Sequence, residues 1–182
     1  MLKSNIEIQN TIIDIEISKT ETLSVYLDKN TGYLSIKKFF NPNTGVSLLL
    51  VKLKISEEFN QPIIIPDSIR ILYISGKFNQ SLIIPDSLVL LTIKGKFNQP
   101  FILPNNLALL SIKGEFNQLL DLPKKRLTDI KIGGKYNQSI ILPDSLRNIK
   151  IGGEFNQPLI LPKTIYSLKI DGEYNHPIFT LT

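Results

Sequence analysis

A short internal repeat constrains this chain more than any other feature. An aromatic residue followed by asparagine recurs at intervals of 19, 19, 19, 20, 19 and 19 residues. The seven pairs begin at Phe59, Phe78, Phe97, Phe116, Tyr136, Phe155 and Tyr174. A fixed period of this length is typical of repeat proteins, in which one unit is too small to bury a core and packs on its neighbours. We therefore expect a stack of near-identical units.

Each unit contains two short apolar runs, and each run ends at a residue that turns the chain. In the unit that begins at Phe78, the spacing Leu88-x-x-Leu91-x-Ile93 ends with the two-residue period of a β-strand. A glycine follows this run, and glycine tolerates a corner with positive φ. The other run ends at a proline, which cannot donate to a β-ladder. A helix does not fit into such a unit, so we predict one coil of a mainly β solenoid with parallel strands.

The units resemble two known families. Their Leu-x-x-Leu-x-Ile frame with an asparagine resembles leucine-rich repeats. More closely, the Phe-Asn-Gln-Pro opening at 59–62, 97–100 and 155–158 resembles the FNIP repeat of social amoebae and of giant viruses that infect amoebae. The resemblance implies a right-handed, leucine-rich-repeat-like β-solenoid in an amoeba or its giant virus. The coil length of 19 residues follows from the spacing in this sequence and is a few residues shorter than the usual repeat of the family. Some family members carry a helical F-box before the repeats, but residues 6–55 alternate like strands, so we expect none here.

The repeat weakens toward the N-terminus but does not stop abruptly. Phe40-Asn41 lies nineteen residues before Phe59. Apolar pairs also keep the repeat spacing at Ile15/Ile17, Leu34/Ile36 and Leu53/Ile55. We therefore predict one continuous domain, with degenerate N-terminal capping coils at 1–39 and an FNIP-like repeat solenoid at 40–182.

Two repeated columns are expected to hold the coils together. We predict that the aromatic rings form a buried ladder, because burial of a ring contributes about 1.5 to 3 kcal/mol. The asparagine column is predicted to be buried and to satisfy backbone groups at the corner between coils, as the asparagine of leucine-rich repeats does. Neither column is expected to bind a ligand.

The residues needed for a chemical site are scarce. The chain has no cysteine, which excludes disulfides, Cys-ligated zinc and thiol catalysis. Its single histidine, His176, replaces glutamine in a repeated column. Glu154 and Glu173 share a column and would lie about 5 Å apart, as in retaining glycosidases. Lys135 occupies the same column, which favours an ordinary row of solvated charges. We predict no enzyme activity, no cofactor and no metal.

Two rows of residues should face outward from the main strand. One row consists of Tyr73, Thr92, Ser111, Lys131, Lys150 and Lys169. Its neighbour consists of Ile71, Leu90, Leu109, Asp129, Asn148 and Ser167. This face is apolar in its N-terminal half and basic in its C-terminal half, and we expect its short members, such as Thr92, to be exposed. The candidate binding face consists of Ile71, Tyr73, Leu90, Leu109, Lys131, Lys150 and Lys169.

The second apolar run supplies another row, whose orientation the sequence leaves open. Its members are Ile64, Ile83, Ile102, Asp121, Ile141 and Ile160. If the row faces outward, it is an apolar stripe of the kind that marks an interface, and an outward Asp121 avoids the cost of burying a carboxylate. If it faces inward, a wide core contains the isoleucines and Asp121 is a local defect.

We predict a protein-protein interaction scaffold, because a solenoid offers a large rigid surface. The alternative is a module that binds a polyanion or carbohydrate through Lys94, Lys96, Lys113, Lys131, Lys150 and Lys169. The net charge of +5 is modest for this length, so nucleic acid is not the expected partner. The longest apolar run, 48–51, is too short to span a membrane. We expect an intracellular location, the host cytoplasm for a viral protein, and a homodimer through the C-terminal coil, whose strand edge is open.

Overall fold

The computed structural model describes residues 59–180 without a gap and, before them, the strand segments 2–8, 11–17, 25–27, 34–36, 39–40, 47–48 and 52–55. These residues form strands, turns and extended chain, and no helix occurs among them. The strands are β1 Leu2–Ile8, β2 Thr11–Ile17, β3 Val25–Leu27, β4 Leu34–Ile36, β5 Phe39–Phe40, β6 Ser47–Leu48, β7 Lys52–Ile55, β8 Ile63–Ile64, β9 Ile71–Ile74, β10 Leu90–Ile93, β11 Leu109–Ile112, β12 Asp129–Ile132, β13 Asn148–Ile151, β14 Leu159–Leu161, β15 Ser167–Ile170 and β16 Ile178–Thr180.

One long sheet forms the main wall of the solenoid. Its strand order is β1-β2-β7-β9-β10-β11-β12-β13-β15. From β7 onward all neighbours are parallel, and each residue pairs with its equivalent one coil away, as Leu72 does with Leu91 and Leu91 with Leu110. The predicted mainly β solenoid of parallel strands with a 19-residue spacing is therefore confirmed.

The aromatic ladder is the centre of the core. Rings of adjacent coils stack with centroids 5.9 to 6.4 Å apart and with planes within 9° of parallel, from Phe59 to Tyr174. Every ring from Phe59 to Phe155 is at most 1% exposed. The prediction of a buried ladder is confirmed, and each ring from Phe78 to Phe155 lies between the rings of the coils before and after it.

The glycine corners bring neighbouring backbones into direct contact. Gly95 and Gly114 have φ values of 73° and 82°, a region that glycine adopts without a steric penalty. A Cβ added at Gly95 would lie 2.3 Å from the carbonyl oxygen of Gly76. The amide of Lys96 donates to that same oxygen over 2.9 Å. A side chain at this corner would separate the coils, so the glycine column is a requirement of the stack.

The proline column turns the chain on the opposite side of each coil. The amide of Leu88 donates to the carbonyl of Pro85, and that of Leu107 donates to Pro104, both over 3.1 Å. The run before the proline forms a strand where β8 pairs with β4 and where β14 pairs with β16. In the coils between, residues 82–84, 101–103, 120–122 and 140–142 are extended without forming strands.

The N-terminal strands pair differently from the strands of the interior coils. β2 runs antiparallel to β7, with Ile15 opposite Leu53, and β4 is parallel to β8, with Leu34 opposite Ile63. Alternation of apolar residues has the same period in both strand directions, so it could not distinguish parallel from antiparallel pairing.

Candidate interaction surfaces

The asparagine column forms a continuous ladder of hydrogen bonds along one corner. The amide of Asn117 donates to Oδ1 of Asn98 over 2.8 Å, and Nε2 of Gln118 donates to the same oxygen over 3.2 Å. The same backbone contact links each coil from Asn60 to Asn175. The predicted corner ladder is confirmed, but its side chains are half-buried or exposed rather than buried. From Asn60 to Asn156 each side-chain oxygen accepts the amide of the next coil, as a structural ladder requires.

The outward face of the main sheet has the register that the repeat predicts. Tyr73, Thr92, Ser111, Lys131, Lys150 and Lys169 are paired in succession across the strands, and Ile71, Leu90 and Leu109 form the neighbouring row. Nζ of Lys52 lies 5.5 Å from the centroid of the Tyr73 ring, within cation–π distance. The structure thus places all seven residues of the candidate binding face on one sheet.

Two short side chains on this face are not exposed as expected. Thr92 is only 9% exposed and Ser111 only 8%. They follow the larger Tyr73 and precede the larger Lys131 in the same row, so the taller neighbours cover them. Ile71, Tyr73, Leu90 and Leu109 are themselves only half-buried, so the apolar half of the sheet is partly open to solvent.

The basic half of the sheet is partly neutralised. Nζ of Lys150 lies 2.6 Å from Oδ2 of Asp171, and Nζ of Lys169 lies 3.5 Å from Oδ1 of the same carboxylate. The hydrogen bond from Lys150 lowers the pKa of Asp171, and the charge of Lys169 acts in the same direction. Asp171 follows the strand and does not belong to either outward row, so the sequence pattern did not reveal it as their counter-ion.

The glutamates of the corner column form an ordinary charge row. Lys135 Nζ is 2.6 Å from Oε2 of Glu115, and this hydrogen bond and charge raise the pKa of Lys135. Glu154 and Glu173 are exposed to solvent. His176 packs edge-on against the ring of Tyr174, with centroids 6.0 Å apart. In the described part of the chain, no group of three or more metal-ligating side chains is gathered in one place.

The row of the second apolar run faces outward, which settles the orientation that the sequence left open. Its exposed fractions are 55% for Ile64, 89% for Ile83, 87% for Ile102, 89% for Ile141, 56% for Ile160 and 55% for Phe179. Phe179 continues the row because it pairs with Ile160 in register. The flanking Leu120 and Leu122 point into the core, so Asp121 points out with the isoleucines. We call these seven residues the isoleucine face.

Asp121 interrupts the isoleucine face with a depression. Hollows of about 620 and 580 Å³ lie on its two sides, toward Ile141 and toward Ile102. Leu119, which is 75% exposed, lines both of them together with Lys124. The extra residue of this coil lies at the turn 124–126, where three basic side chains are exposed. The two sequence irregularities, an aspartate and an insertion, thus meet at one place on the surface.

Comparison with known proteins finds one family that matches two stretches of the repeat. The model of the FNIP Repeat family matches residues 59–96 and 136–172. No curated protein and no solved structure matches the chain. Among the described residues, no helix has the length and apolar character needed to cross a membrane.

Proposed function

Two stretches of the chain match the FNIP repeat model, and from this premise we propose that its solenoid is a protein-protein interaction scaffold without enzyme activity. The observation that carries the proposal is the isoleucine face. A soluble monomer rarely leaves a row of six large apolar side chains in water, even one interrupted by an aspartate, and large apolar patches mark interaction sites. Packing does not require these side chains, because the core is already filled from the opposite side of the same run.

The geometry of the strip supports a protein partner rather than a small molecule. The exposed side chains follow one another along the solenoid axis, and the two hollows beside Asp121 are partly open to solvent. A ridge of apolar side chains suits burial against an apolar surface of similar length. A second proposed contact surface lies on the main sheet. It consists of the half-buried side chains of Ile71, Tyr73, Leu90 and Leu109.

Polyanion binding, the alternative function, has less support because the lysine row already has a counter-ion. Lys150 and Lys169 already share the carboxylate of Asp171. An anion that approaches this row has to compete with that carboxylate. We expect only weak retention on heparin, and we expect it to vanish when Lys131, Lys150 and Lys169 are changed to glutamate, with folding intact. Retention that survives this triple change would exclude the lysine row as the binding surface.

The last strand offers a further proposed contact. Among the described strands of the main sheet, β15 has a neighbour on one side only, and its Leu168 and Ile170 are half-exposed. Open strand edges pair readily with another chain. Two copies that meet end to end would cover both edges with a closed two-fold contact.

Pull-down of the full chain from amoebal lysate at two salt concentrations tests the scaffold function. We expect a captured set of proteins that persists at high salt, because apolar contacts respond little to screening. The same proteins should be lost with the variant Ile83→Asp and kept with the matched exposed variant Lys94→Asp. Capture that disappears at high salt, or that is unchanged by Ile83→Asp, contradicts an apolar interface on this face.

A further inference from the structure

The main sheet already holds one carboxylate, and its position shows how this surface binds an acid. Asp171 comes two residues after Lys169 and reaches back to Lys150 in the coil before. Oδ2 of Asp171 lies 2.6 Å from Nζ of Lys150, and Oδ1 lies 3.5 Å from Nζ of Lys169. A carboxylate two residues beyond the outward row can therefore contact two successive members of that row.

The same place in an earlier coil is open. Gly133 comes two residues after Lys131, which is the spacing just described, and Lys131 is paired with Ser111 in the coil before. Chain neighbours apart, a Cβ at Gly133 would meet no atom closer than 3.8 Å, the Cγ of Lys113. This coil thus has room for a carboxylate, and the members of the outward row that would receive it are Ser111 and Lys131.

Three donors around this place are not used within the chain. Among the described residues, the ammonium groups of Lys113 and Lys131 form no ion pair, and the hydroxyl of Ser111 forms no hydrogen bond. Ser111 is only 8% exposed, yet its oxygen is not enclosed in the way that the unpartnered hydroxyl of Tyr136 is. The serine hydroxyl can therefore donate to a ligand that approaches from solvent.

The acid on the same strand as Lys131 does not supply the missing counter-ion. Oδ1 of Asp129 accepts from Nδ2 of Asn148 over 2.9 Å, and its Oδ2 accepts from Oγ1 of Thr128 over 2.7 Å. Hydrogen bonds to a charged group are roughly twice as strong as neutral ones. A carboxylate from another molecule would thus gain such bonds here without displacing one of the chain's own acids.

We propose that the main sheet binds an acidic side chain of a partner protein above Gly133, in the place that Asp171 fills two coils later. The inference rests on the proposed scaffold function and names the chemistry of the partner at the second contact surface. The partner's carboxylate accepts a hydrogen bond from Oγ of Ser111 and forms ion pairs with the ammonium groups of Lys131 and Lys113.

An apolar side chain near the acid completes the recognition. Leu109 precedes Ser111 by two residues on β11 and lies beside Leu90 in the neighbouring outward row. Both leucines are half-buried. Residues two apart in an extended segment point to the same side and lie about 7 Å from each other. A partner segment with an apolar residue two positions from its acid therefore places that residue against Leu109 while the carboxylate contacts Ser111.

The next glycine of the same column offers less room. A Cβ at Gly152 would lie 2.9 Å from the carbonyl oxygen of Asp171. Lys150, which precedes this glycine by two residues, is already paired with the carboxylate of Asp171. The open place is thus confined to the coil of Gly133, which suits a single acidic residue rather than a polyanion.

Titration of the full chain with a short peptide, followed by the NMR signals of the backbone amides, tests the site. The probe has glutamate at its centre, leucine two positions away on each side, and both ends blocked, so that only the side chain supplies a carboxylate. The matched peptide has glutamine in place of glutamate. We expect the amides of Ser111, Lys131 and Gly133 to shift with the glutamate peptide, and the affinity to be at least about fivefold lower for the glutamine peptide, because charge-assisted hydrogen bonds are lost.

Substitutions in the chain show whether the carboxylate lies above Gly133. Gly133→Asp supplies the acid from the chain itself and should abolish binding of the glutamate peptide. Gly133→Ala should retain it, because the added methyl group meets only ordinary contacts and this glycine does not have a positive φ. Lys131→Gln should weaken binding by about threefold or more, whereas Lys163→Gln, at an exposed lysine on a proline turn, should leave it unchanged. Urea unfolding checks that each variant is folded.

Three results would overturn the inference. They are equal binding of the glutamate and glutamine peptides, wild-type binding by a folded Gly133→Asp variant, and the absence of shifts at Ser111, Lys131 and Gly133 at millimolar peptide. None of them bears on the isoleucine face, which the lysate experiment with Ile83→Asp measures separately at high salt. Failure of that capture would in turn leave the peptide titration unchanged, so the two proposals can fail independently.

Discussion

The interior coils and the last coil have the same sequence pattern but very different burial. Ile149 and Ile151 in β13 are 2% and 1% exposed, whereas their partners Leu168 and Ile170 in β15 are half-exposed. The aromatic column shows the same contrast, since Phe155 is fully buried and Tyr174 is not. Burial in this molecule therefore comes from the coil on each side rather than from the residue's own coil, which is the expected behaviour of a one-dimensional stack.

The corners differ between the two regions in the same way. A Cβ at Gly114 would lie 2.4 Å from the carbonyl oxygen of Gly95, whereas a Cβ at Gly172 would meet no atom closer than 3.8 Å, the carbonyl oxygen of Gly153. The last coil keeps the positive φ of its glycine, at 106°. A substitution in the interior thus tests both conformation and contact, and the same substitution in the last coil tests conformation alone.

The largest expected contrast is in the aromatic ladder. Replacement of Phe97 by alanine should lower the free energy of unfolding by about 3 to 5 kcal/mol, because it leaves a cavity between Phe78 and Phe116. Tyr174→Ala should lower the free energy of unfolding by less than half as much, because the ring of Tyr174 is stacked on one side only. Urea denaturation of both variants measures the difference. Equal losses would contradict burial by neighbours.

The glycine corners give the next contrast. Gly114→Ala should lower the free energy of unfolding by about 3 kcal/mol, because it adds a backbone overlap to the cost of positive φ. Gly172→Ala keeps only the conformational cost, about 1 to 2 kcal/mol. Thermal and urea unfolding of the two variants should show this order. The comparison fails if the Gly172 variant is the less stable of the two.

The asparagine ladder should show a smaller contrast. Asn98→Ala removes the acceptor of the Asn117 amide and of the Gln118 side chain, and we expect a loss of about 1 to 3 kcal/mol. Within the described residues, the side chain of Asn175 accepts no such bond, so Asn175→Ala should change stability by less than about 0.5 kcal/mol. Unchanged unfolding of the Asn98 variant would show that the ladder does not stabilise the stack.

The smallest effect concerns two tyrosines that replace phenylalanine in the aromatic column. The hydroxyl of Tyr136 is buried without a hydrogen-bond partner in the described structure, and that of Tyr174 donates to the carbonyl of Gln157 over 3.1 Å. Tyr136→Phe should therefore raise the free energy of unfolding by about 1 kcal/mol, and Tyr174→Phe should lower it slightly. A loss of stability in Tyr136→Phe would show that the hydroxyl has a partner, such as a buried water.

Tyr136 also predicts a dependence on alkaline pH. Burial raises its pKa to about 12, whereas an unfolded tyrosine titrates near pH 10. Between these values the unfolded chain has lost a proton that the folded chain retains, so stability that is present below pH 10 falls as the pH rises toward 12. Urea midpoints should decline over this range in the wild-type chain and decline less in Tyr136→Phe.

The sequence predicts those features that depend on the repeat period. The 19-residue spacing located the inward Leu91 and Ile93, the aromatic ladder and the glycine corners, because each depends only on equivalent positions in adjacent coils. The period does not predict the burial of Thr92, which depends on the size of the neighbouring side chains. It also does not predict the ion pair of Lys150 with Asp171, because Asp171 lies outside the row. Strand direction at the N-terminus was likewise not encoded in the alternation of apolar residues.

The sequence likewise predicts only part of the candidate surface. Periodicity placed Ile83, Ile102 and Ile141 in one row. It did not decide which side of the run faces the core, because Leu and Ile occupy the positions on both sides of the run. The structure supplies that orientation. The hollows beside Asp121 could not be predicted from the sequence either, because they arise from the length of a side chain and from an insertion in one coil.

Amide hydrogen exchange along residues 59–180 tests most directly whether each coil is stabilised by its neighbours. We expect the slowest exchange in the interior strands β10 to β13 and in the corner amides of Asn98, Asn117 and Asn137. Exchange in β15 should be faster by about tenfold for each 1.4 kcal/mol of lost stability. Protection of β15 equal to that of β12 would contradict it, because the last strand would then be as stable with one neighbour as an interior strand is with two.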